Sequence, residues 1–518
     1  MRKLSLQTIR DLSKADRETG QLLAFYSGVS VNSGKVRENG IFAAVSGYST
    51  DGHRFIPAAL DAGARLILTE RNPAEVLAET GRDDVGVMQV PEIRAAVAQL
   101  AFAFAGNPQR RLRIAGITGT NGKTTVSTLV HQALTQLGYT AGLMGTISIA
   151  VGSRSTESRL TTGDPEQIAS AMADMAEAGC THLVMEVSSH ALDQKRTDAL
   201  SFDVAAFTNL SHDHLDYHKT EAAYVQAKKR LFDGLSEDAV AVVNADDAHT
   251  AEMVRDCRAS VWELSLKDSS LKVLRSDAAG IVLEIDDTRI ESPLSGHFNV
   301  YNVAMAWLIL RAFGCAPQSA AAALSACPGA RGRLERVPQP QPEQAGSPAE
   351  GTGPITLKLP EVFVDYAHTP DALRNVLETL RAIAGPRELS VVFGCGGDRD
   401  KTKRPVMGRI AAELADVVVI TSDNPRTEDP AQIIAEIEAG ISRAGVLTEA
   451  DRRKAIASAI AQAQPGSIVL IAGKGHETYQ EIKGVCYPMD DAALAAEALK
   501  ARAARTGNTH QNARQEEA

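Results

Sequence analysis

The sequence has few cysteines, no long apolar run and no excess of basic residues. Its six cysteines are scattered without a C-x-x-C pair, which favours reduced thiols over a disulfide framework or a cysteine-ligated zinc site. No stretch approaches the ~18 uninterrupted apolar residues of a transmembrane helix, and residues 1–7 turn polar before an apolar core of signal-peptide length accumulates. We therefore expect a soluble, cytoplasmic protein without a membrane partner.

The net charge argues against a nucleic-acid-binding protein, and the length argues against a single domain. The formal net charge is -10 at pH 7, whereas binding to a nucleic-acid backbone calls for a basic surface, so we expect no nucleic-acid partner. A chain of 518 residues is too long for a single hydrophobic core. We expect three domains in one monomer.

Short apolar runs alternate with helical patterns along the chain, which predicts an α/β fold. We expect a small N-terminal α/β domain at 1–109, a central domain with a P-loop ATPase-type parallel sheet at 110–335, a doubly wound, Rossmann-like C-terminal domain at 336–505, and a disordered polar tail at 506–518. The Pro-, Gln-, Gly- and Ser-rich stretch 338–354 predicts an exposed loop, to which we assign no role.

The stretch Gly116–Thr125 has the features of a phosphate-binding loop, because it follows a predicted strand and opens a predicted helix. In that order, the backbone N–H groups and the helix dipole converge on one place, where Lys123 adds a charge and the Thr124 hydroxyl can bind magnesium. The pattern G-x-x-x-x-G-K-[ST] would have glycine where this chain has Ile117. We interpret the stretch as a variant of that loop rather than an ordinary glycine-rich turn.

Polar residues follow three further strands of the central domain, at Glu186–His190, Thr208–Asn209 and Asn244–Asp247. Because ligands of parallel sheets sit at the carboxyl ends of the strands, we expect these residues to converge with the loop.

The central domain also holds an unusual density of possible metal ligands, namely Glu186, His190, His212, Asp213, His214, Asp216 and His218. One alternative is a polar loop of solvated histidines. Another is a zinc site, since His214 and His218 would share one face of a helix. A triphosphate loop calls for a hard cation with oxygen ligands. We therefore favour magnesium held by Thr124 and Glu186.

The loop residues Thr118–Thr124 resemble the ATP loop of the Mur ligase family, the ATP-dependent amide-forming enzymes of peptidoglycan precursor synthesis, and the resemblance covers nearly the whole chain. It implies ATP as a co-substrate. The residues that it implies for ATP binding are Gly119, Thr120, Asn121, Gly122, Lys123, Thr124, Thr125, Asn299, Asn302, Arg333 and Asp365.

The resemblance also implies a second magnesium site. From the residues alone, Ala227–Phe232 is typical of the charged face of a helix. In the family, a lysine at the position of Lys228 carries CO2 as a carbamate (N6-carboxylysine) and binds this magnesium together with a histidine, here His214. The chemistry is sensible because CO2 turns an ammonium into an anionic oxygen ligand. Lys123, Lys228 and His214 are thus the implied catalytic residues.

For a UDP-linked substrate, the resemblance implies two groups of residues. Those of the N-terminal domain are Val31, Ser33, Tyr48, Ser49 and Thr50, and those of the central domain are Thr161, Thr162, Ser188, Gln194 and Arg196. The family's Asp-Ser-Arg uridine signature has become Asn32-Ser33-Gly34 in this chain.

The four residues Asp423, Asn424, Pro425 and Arg426 resemble the signature of family members that add meso-diaminopimelate rather than lysine. Diaminopimelate carries an extra carboxylate that a guanidinium such as Arg426 can bind bidentately. The resemblance implies Arg399, Gly473 and Glu477 as further contacts, with Glu477 facing the distal ammonium.

The resemblance thus implies an ADP-forming ligase that joins UDP-N-acetylmuramoyl-L-alanyl-D-glutamate to meso-diaminopimelate through an acyl phosphate. Such a reaction serves peptidoglycan synthesis, and with it cell wall biogenesis, cell shape and cell division. A folylpolyglutamate synthase-like ligase and an L-lysine-adding ligase are the alternatives among enzymes. A nucleotide-regulated switch protein would need neither the ligand-dense stretch up to His218 nor a second α/β domain.

Overall fold

The computed structural model of the protein describes residues 2–47, 50–158, 160–211, 213–267, 271–340 and 359–516. The chain forms two compact units. The first comprises the residues up to Lys272 together with Leu283–Glu291 and Tyr301–Cys327, and the second comprises Val273–Val282, Ser292–Val300 and the residues from Pro328 onward. Within the described residues, no helix is both long and apolar enough to cross a membrane.

The N-terminal part of the first unit is built on a five-stranded sheet. In spatial order its strands are Arg17–Gly20, Gly86–Gln89, Ala64–Thr69, Gly40–Ala43 and Val29–Ser30. The first of them is antiparallel to its neighbour and the other pairs are parallel. A second, two-stranded sheet pairs Leu4–Ser5 with Phe25–Tyr26.

Four α-helices and three 3-10 helices accompany these sheets. The α-helices are Leu6–Ser13, Ile56–Asp61, Pro73–Thr80 and Ile93–Phe104, and the 3-10 helices are Ser33–Lys35, Gly52–Phe55 and Pro108–Arg111. The chain leaves the helix Ile93–Phe104 through Gly106 and Asn107, which both have positive φ. The chain then forms the 3-10 helix Pro108–Arg111 before it enters the strand Arg113–Thr118 of the central part.

The central part of the first unit is built on an eight-stranded sheet. In spatial order its strands are Arg154–Glu157, Ser148–Val151, Ala141–Met144, His182–Glu186, Arg113–Thr118, Val204–Phe207, Val240–Asn244 and Ser260–Leu264. Six strands run parallel, and the hairpin at 148–157 adds two antiparallel strands at one edge. The register pairs Glu186 with Ile117 and Phe207 with Thr118, so these strands end side by side next to the loop.

Helices connect and follow these strands. They are Lys123–Gln136, Pro165–Glu177, Ser189–Asp193, Leu215–His218, Glu221–Asp233, Thr250–Met253, His297–Ala312 and Pro317–Ser325. A three-stranded sheet of Leu271–Asp277, Gly280–Ile285 and Thr288–Ser292 lies in the sequence between the helices Thr250–Met253 and His297–Ala312.

The second unit is built on a six-stranded sheet. In spatial order its strands are Glu335–Arg336, Glu361–Asp365, Ile468–Ala472, Leu389–Phe393, Val417–Ile420 and Leu447–Thr448. All pairs are parallel except the one made by the edge strand Glu335–Arg336. A hairpin of Tyr479–Ile482 and Val485–Pro488 follows the sheet.

Helices cover both faces of this sheet. One apolar core contains residues of the helices Pro370–Ala384, Lys403–Leu414 and Pro430–Glu438. A separate core on the other face contains residues of Arg452–Gln462 and of the last helix, Asp491–Glu516. The arrangement is doubly wound.

The predicted α/β fold, with a mostly parallel central sheet and a doubly wound C-terminal sheet, is confirmed. The domain limits at 109/110 and 335/336 stay predictions. The helix Asp491–Glu516 runs into the last stretch of the chain, and the expectation of a disordered tail at 506–518 stays a prediction. Of the stretch 338–354, residues 341–354 lie outside the described residues.

Candidate functional site

The backbone of the phosphate loop requires glycine at two positions. Gly119 has φ +144 and a Cβ there would lie 1.8 Å from Thr208 Oγ1, while Gly122 has φ +89 and its Cβ would lie 2.5 Å from Asn302 Oδ1. Both conformations are costly for other residues. The helix Lys123–Gln136 begins directly after Gly122, so its N–H groups face the loop as the sequence predicted.

Residues at the end of the neighbouring strand hold this loop in shape. The Asn209 carbonyl accepts a hydrogen bond from the backbone N–H of Thr120 at 2.8 Å, and its side-chain oxygen accepts one from the N–H of Asn121 at 3.0 Å. The Thr208 hydroxyl donates to the Asn121 carbonyl at 2.6 Å. The structure therefore brings Thr208 and Asn209 to the loop, as expected from their position at a strand end.

The side chain of Lys123 lies over the same loop. Its Nζ donates to the carbonyl oxygens of Gly119 at 2.8 Å and Thr120 at 2.9 Å. A full positive charge is thus concentrated where the loop and the helix N-terminus already attract anions.

Glu186 lies at the end of its strand with 1% of its surface exposed. Its carboxylate accepts hydrogen bonds from the hydroxyls of Thr124 and Thr146, both at 3.0 Å, and from the Thr146 N–H at 2.8 Å. The Thr124 hydroxyl and the Glu186 carboxylate are hard oxygen donors in contact with each other, and this donor set fits magnesium. Thr146 was missed by sequence reasoning, because a threonine in a loop carries no distinctive signal. Its hydroxyl also lies 3.0 Å from that of Thr161.

Lys228 and Lys229 are both buried, so the interpretation of this stretch as a solvated helix face is wrong for them. The Lys228 Nζ donates to the Gly119 carbonyl at 2.9 Å and lies 4.5 Å from the centre of the Tyr224 ring. Burial, reinforced by the charge of Lys123, holds the pKa of Lys228 well below its usual value. Lys229 instead pairs with Asp233 and Asp256.

The rings of three histidines lie close together in the central part. The ring centre of His190 lies 4.9 Å from that of His214 and 5.5 Å from that of His218. Burial, together with the charges of the two neighbouring imidazoles, lowers the pKa of His190 to about 4. Burial lowers the pKa of His214 too, and the charges of Lys123 and Lys228 contribute in the same direction. The His214 ring centre lies 6.0 Å from that of Tyr224, whose hydroxyl is 3.1 Å from the Thr120 hydroxyl of the loop.

The ligand candidates that the structure describes do not form a metal site of their own. His212 lies outside the described residues. Among the residues that the structure does describe, no three His, Cys, Asp or Glu side chains lie close enough to hold a metal ion. The zinc alternative therefore has no ligand set in that part of the chain.

The residues expected to contact a UDP-linked substrate form a connected network in the central part. The Thr162 hydroxyl donates to the Glu186 carbonyl at 2.9 Å and accepts from the Ser188 N–H at 3.0 Å. Arg196 donates to the Thr162 carbonyl at 2.9 Å and to the Gln194 side-chain oxygen at 2.7 and 3.0 Å. This network connects the substrate candidates to the strand end that holds Glu186.

A cavity of about 450 Å³ lies beside this network, lined by Gln194, Arg196 and Tyr217 and, from the N-terminal part, by Val31 and Arg94. Sequence reasoning missed Tyr217, although it lies within the ligand-dense stretch. Its hydroxyl donates to Asp193 at 2.9 Å and accepts from Gln194 at 3.1 Å.

The structure describes only some of the other N-terminal candidates for binding the UDP-linked substrate. Tyr48 and Ser49 lie outside the described residues. The carbonyl of Thr50 accepts a hydrogen bond from Gly47 at 2.9 Å. Ser33 opens a 3-10 helix, and Asn32 caps that helix by accepting from the Gly34 N–H at 2.9 Å. The departure to Asn32 thus has a local structural role.

The remaining candidates for ATP binding are divided between the two units. In the first unit, Asn302 is buried and adjoins Gly122 of the loop. In the second, the buried Asn299 donates to the Ser295 carbonyl at 2.7 Å. Also in the second unit, the guanidinium of Arg333 lies 4.7 Å from the centre of the Tyr366 ring.

Asp365 ends a strand of the second unit, and backbone donors occupy both of its oxygens. Leu334 N–H donates to Oδ2 at 2.6 Å and Ala367 N–H to Oδ1 at 2.8 Å. Burial raises the pKa of Asp365, while the charge of Arg333 acts in the opposite direction. The carboxylate thereby fixes the segment that carries Arg333.

The structure brings the amino-acid candidates of the second unit together at the carboxyl ends of its strands. Gly473 has φ +115, and a Cβ there would lie 2.7 Å from Asp423 Oδ2. The Asn424 amide donates to Glu477 at 2.8 Å. Lys474, which follows Gly473 and was missed by sequence reasoning, is fully buried and donates to both Asn424 and Glu477.

Arg426 has a positive φ of +50, and its guanidinium contacts two other residues. Its Nη1 donates to the Gly397 carbonyl at 2.7 Å, and its Nε lies 3.2 Å from a carboxylate oxygen of Glu481. The same glycine-rich loop carries Arg399, since a Cβ on Gly396 would lie 2.9 Å from Arg426 Nη1 and 3.9 Å from Arg399 Cγ. The second unit therefore groups the guanidinium groups of Arg399 and Arg426 with the Glu477 carboxylate and the buried Asn424 amide.

Comparison with known families gives three matches along the chain. The Mur ligase middle domain matches residues 117–310, the glutamate ligase domain of Mur ligases matches residues 355–475, and the catalytic domain of the Mur ligase family matches residues 25–105.

Relatives from three bacteria are each named UDP-N-acetylmuramoyl-L-alanyl-D-glutamate–2,6-diaminopimelate ligase. The one from Cytophaga hutchinsonii is 40% identical over 479 residues, which cover 91% of this chain and 94% of the relative. That from Chlorobaculum tepidum is 40% identical over 484 residues, covering 90% and 91%. That from Geobacillus kaustophilus is 40% identical over 489 residues, covering 92% and 95%.

Solved structures are similar as well. One of a UDP-N-acetylmuramoyl-L-alanyl-D-glutamate–2,6-diaminopimelate ligase is 34% identical with a TM-score of 0.68, and the match covers 97% of this chain and 99% of that one. A folylpolyglutamate synthase from Mycobacterium tuberculosis is 24% identical with a TM-score of 0.56, covering 73% and 91%. The second likeness shows a shared fold alone.

Proposed function

The chain belongs to the Mur ligase family, and from this premise we propose that it joins meso-diaminopimelate to UDP-N-acetylmuramoyl-L-alanyl-D-glutamate at the expense of ATP. The observation that carries this proposal is the cluster of Asp423–Arg426, Gly473 and Glu477 at one sheet edge, in a chain that aligns over nine tenths of its length with ligases of that name. The product would serve peptidoglycan synthesis.

ATP is proposed to place its phosphates at the loop. The backbone N–H groups of the helix start and the ammonium of Lys123 converge there, and they would stabilise the negative charge that develops during phosphoryl transfer. Thr124 and Glu186 would hold magnesium, which when bound supplies further charge neutralisation on the phosphate oxygens. Asn302 adjoins the same loop and is proposed on the nucleotide side, together with Asn299, Arg333 and Asp365.

The reaction has two steps. A side-chain carboxylate oxygen of the glutamate attacks the γ-phosphorus, the bond to the bridging oxygen breaks, and ADP leaves with an acyl phosphate formed. The amine of diaminopimelate then attacks the acyl carbon, phosphate leaves with the electrons of the C–O bond, and the nitrogen loses a proton as the amide forms. Because the protein holds the reactants in place, each step becomes effectively unimolecular and does not require a collision in solution.

Lys228 fits modification by CO2. Only the neutral amine attacks CO2, and burial together with the nearby charge of Lys123 lowers the pKa of Lys228. The resulting carbamate would bring anionic oxygens to a second magnesium site shared with His214. We propose this carbamate and the second magnesium as part of the active enzyme.

The nucleotide-linked dipeptide is proposed to occupy the cavity lined by Val31, Gln194 and Arg196. Arg196 would face the anionic part of this substrate, and Thr161, Thr162 and Ser188 connect the cavity to Glu186. Ser33, Tyr48, Ser49 and Thr50 are proposed at the uridine end.

Diaminopimelate is proposed to bind with its distal carboxylate on Arg426 and its distal ammonium on Glu477, with Arg399 on the same loop. Lysine lacks the distal carboxylate, so its binding would leave the guanidinium without an anionic partner. The same argument disfavours the lysine-adding and folylpolyglutamate alternatives, whose amino acids do not present this pair of groups at the far end.

We also propose a cytoplasmic monomer. The six cysteines are free thiols and four of them are buried, as suits a reducing compartment in which ATP is present. Light scattering of the purified chain should give a single species at the chain mass of 55.0 kDa. A species of twice that mass would overturn the monomer.

One experiment tests the proposed function directly. ADP release is measured with ATP, magnesium and the nucleotide-linked dipeptide present, while meso-diaminopimelate, L-lysine and ornithine are supplied in turn. We expect ADP release and a nucleotide tripeptide only with diaminopimelate. Equal or greater turnover with lysine, or no turnover with any of the three, would contradict the proposal.

A further inference from the structure

A buried lysine lies behind the proposed diaminopimelate site. Lys474 follows directly after Gly473, and none of its surface is exposed. An ammonium in such a position has lost its hydration and is stable only with anionic or polar partners. Because the side chain has no access to solvent, it cannot touch a substrate that enters from solvent.

The partners of Lys474 are two of the residues proposed to bind the amino acid. Its Nζ donates to Asn424 Oδ1 at 3.0 Å and to Glu477 Oε2 at 2.9 Å. The Asn424 Nδ2 donates to the same Glu477 oxygen at 2.8 Å. The three side chains thus form a closed triangle in which each one contacts the other two.

The triangle fixes the orientation of the Asn424 amide. Its oxygen accepts from Lys474 and also from the Glu481 N–H at 2.9 Å, and neither of these donors could be satisfied by the amide NH2. The NH2 group is therefore turned toward Glu477.

The triangle also divides the two oxygens of Glu477. Oε2 accepts both hydrogen bonds from within the protein, whereas Oε1 accepts no hydrogen bond from any described residue. One fifth of the Glu477 side chain is exposed, with a relative accessibility of 20%. The carboxylate is thus held by one oxygen, and the other is left for a ligand.

We propose that Lys474 is a positioning residue for diaminopimelate: it holds the Glu477 carboxylate and the Asn424 amide in one arrangement so that the free oxygen of Glu477 receives the distal ammonium. Its effect is carried by Glu477, since Lys474 does not contact the substrate. This inference rests on the proposed diaminopimelate ligation.

The test is the steady-state kinetics of the Lys474→Met variant, which keeps the length of the side chain and removes its charge. We expect the KM for diaminopimelate to rise about ten- to hundredfold, because a buried charge-assisted contact is lost and Glu477 is released. The KM values for ATP and the nucleotide dipeptide should stay within about twofold, as these ligands gain nothing from Lys474. Lys454→Met, whose 72% exposed side chain lies in the same unit, is the matched control and should change none of the three.

A double-mutant cycle separates positioning from a merely structural role. Glu477→Gln removes the charge through which Lys474 acts, so Lys474→Met should add little to the KM for diaminopimelate in that background. Multiplicative effects of the two changes would overturn the inference, as would parallel rises in all three KM values. If Lys474→Met does not fold, Lys474→Gln, which also removes the charge, carries the same cycle.

The outcomes also separate this inference from the function on which it rests. A wild-type protein that releases no ADP with diaminopimelate overturns both. A wild-type protein that turns over diaminopimelate, beside a Lys474→Met variant with an unchanged KM for it, overturns the positioning role alone.

Discussion

Replacing Arg426 by alanine should weaken the binding of diaminopimelate far more than that of the other two substrates. The guanidinium already donates to the Gly397 carbonyl and lies against Glu481, but among the described residues its Nη2 has no hydrogen-bond partner. The side chain is 22% exposed, so a carboxylate can reach it. The perturbation therefore removes a charged donor while the rest of the site is retained.

The size of the effect follows from these contacts. A hydrogen bond to a charged group contributes roughly 1.5–3 kcal/mol. Because the partial exposure of Arg426 weakens its contacts, we expect about 2–3 kcal/mol for the whole bidentate carboxylate contact, which is less than the sum of two such bonds. At about 1.4 kcal/mol for each factor of ten, the KM for diaminopimelate should rise roughly 30- to 140-fold. The assay is ADP release with diaminopimelate varied and the other substrates saturating.

Arg426→Lys is the matched variant, since it keeps the charge and loses the planar pair of donors. Its KM for diaminopimelate should lie between those of the wild type and Arg426→Ala. Equal rises in the KM values for diaminopimelate and ATP would refute the reasoning and would make Arg426 a structural residue held by its neighbours. The same conclusion would follow if lysine became no better a substrate relative to diaminopimelate in the alanine variant.

Three further predictions concern the loop, the modified lysine and a buried ion pair. Lys228→Ala should lose most ADP release and regain part of it with acetate, because a small carboxylate can supply the missing oxygen ligands. Gly119→Ala should abolish ATP binding in a nucleotide titration, since its Cβ would fall 1.8 Å from Thr208 Oγ1 at a φ of +144. Arg452→Met should lower the free energy of unfolding by about 3–5 kcal/mol in a urea titration, because it leaves the fully buried Asp491 without its partner.

Each of these predictions has a control in the chain. Lys229→Ala should keep its activity without acetate, since Lys229 pairs with the carboxylates of Asp233 and Asp256, whose side chains are 39% and 65% exposed. Gly28→Ala should bind ATP normally, as a Cβ there meets no atom within 4 Å. Adding Asp491→Leu to Arg452→Met should restore part of the lost stability, and no recovery would contradict the ion-pair explanation.

Much of the fold could be predicted from the sequence, because parallel strands that are buried on both faces read as continuous apolar runs. Ile468–Ala472 is one such strand. The antiparallel additions were missed for the opposite reason. The hairpin at 148–157 and the edge strand Glu335–Arg336 are short, and many of their residues are exposed. They therefore carry neither an apolar run nor a long alternation.

The candidate site was predictable where glycine or charge patterns mark it, and unpredictable where the role depends on burial. The residues Gly122-Lys123-Thr124 identify the phosphate-binding loop in the sequence. By contrast, local sequence assigns Lys228 to a charged helix face, and only the packing of its helix beneath the loop buries it. Thr146 and Lys474 come to the sites through tertiary contacts between distant segments, with partners 40 and 50 residues away along the chain.

The central claim is that ATP activates the glutamate carboxylate of the nucleotide-linked dipeptide. The most direct test uses this dipeptide with 18O in the glutamate side-chain carboxylate, followed by mass spectrometry of the phosphate that is released with diaminopimelate present. Transfer through an acyl phosphate predicts one 18O atom in each phosphate, because the carboxylate oxygen that attacked phosphorus leaves with it. Phosphate without the label, formed while the amide product accumulates, would contradict the account.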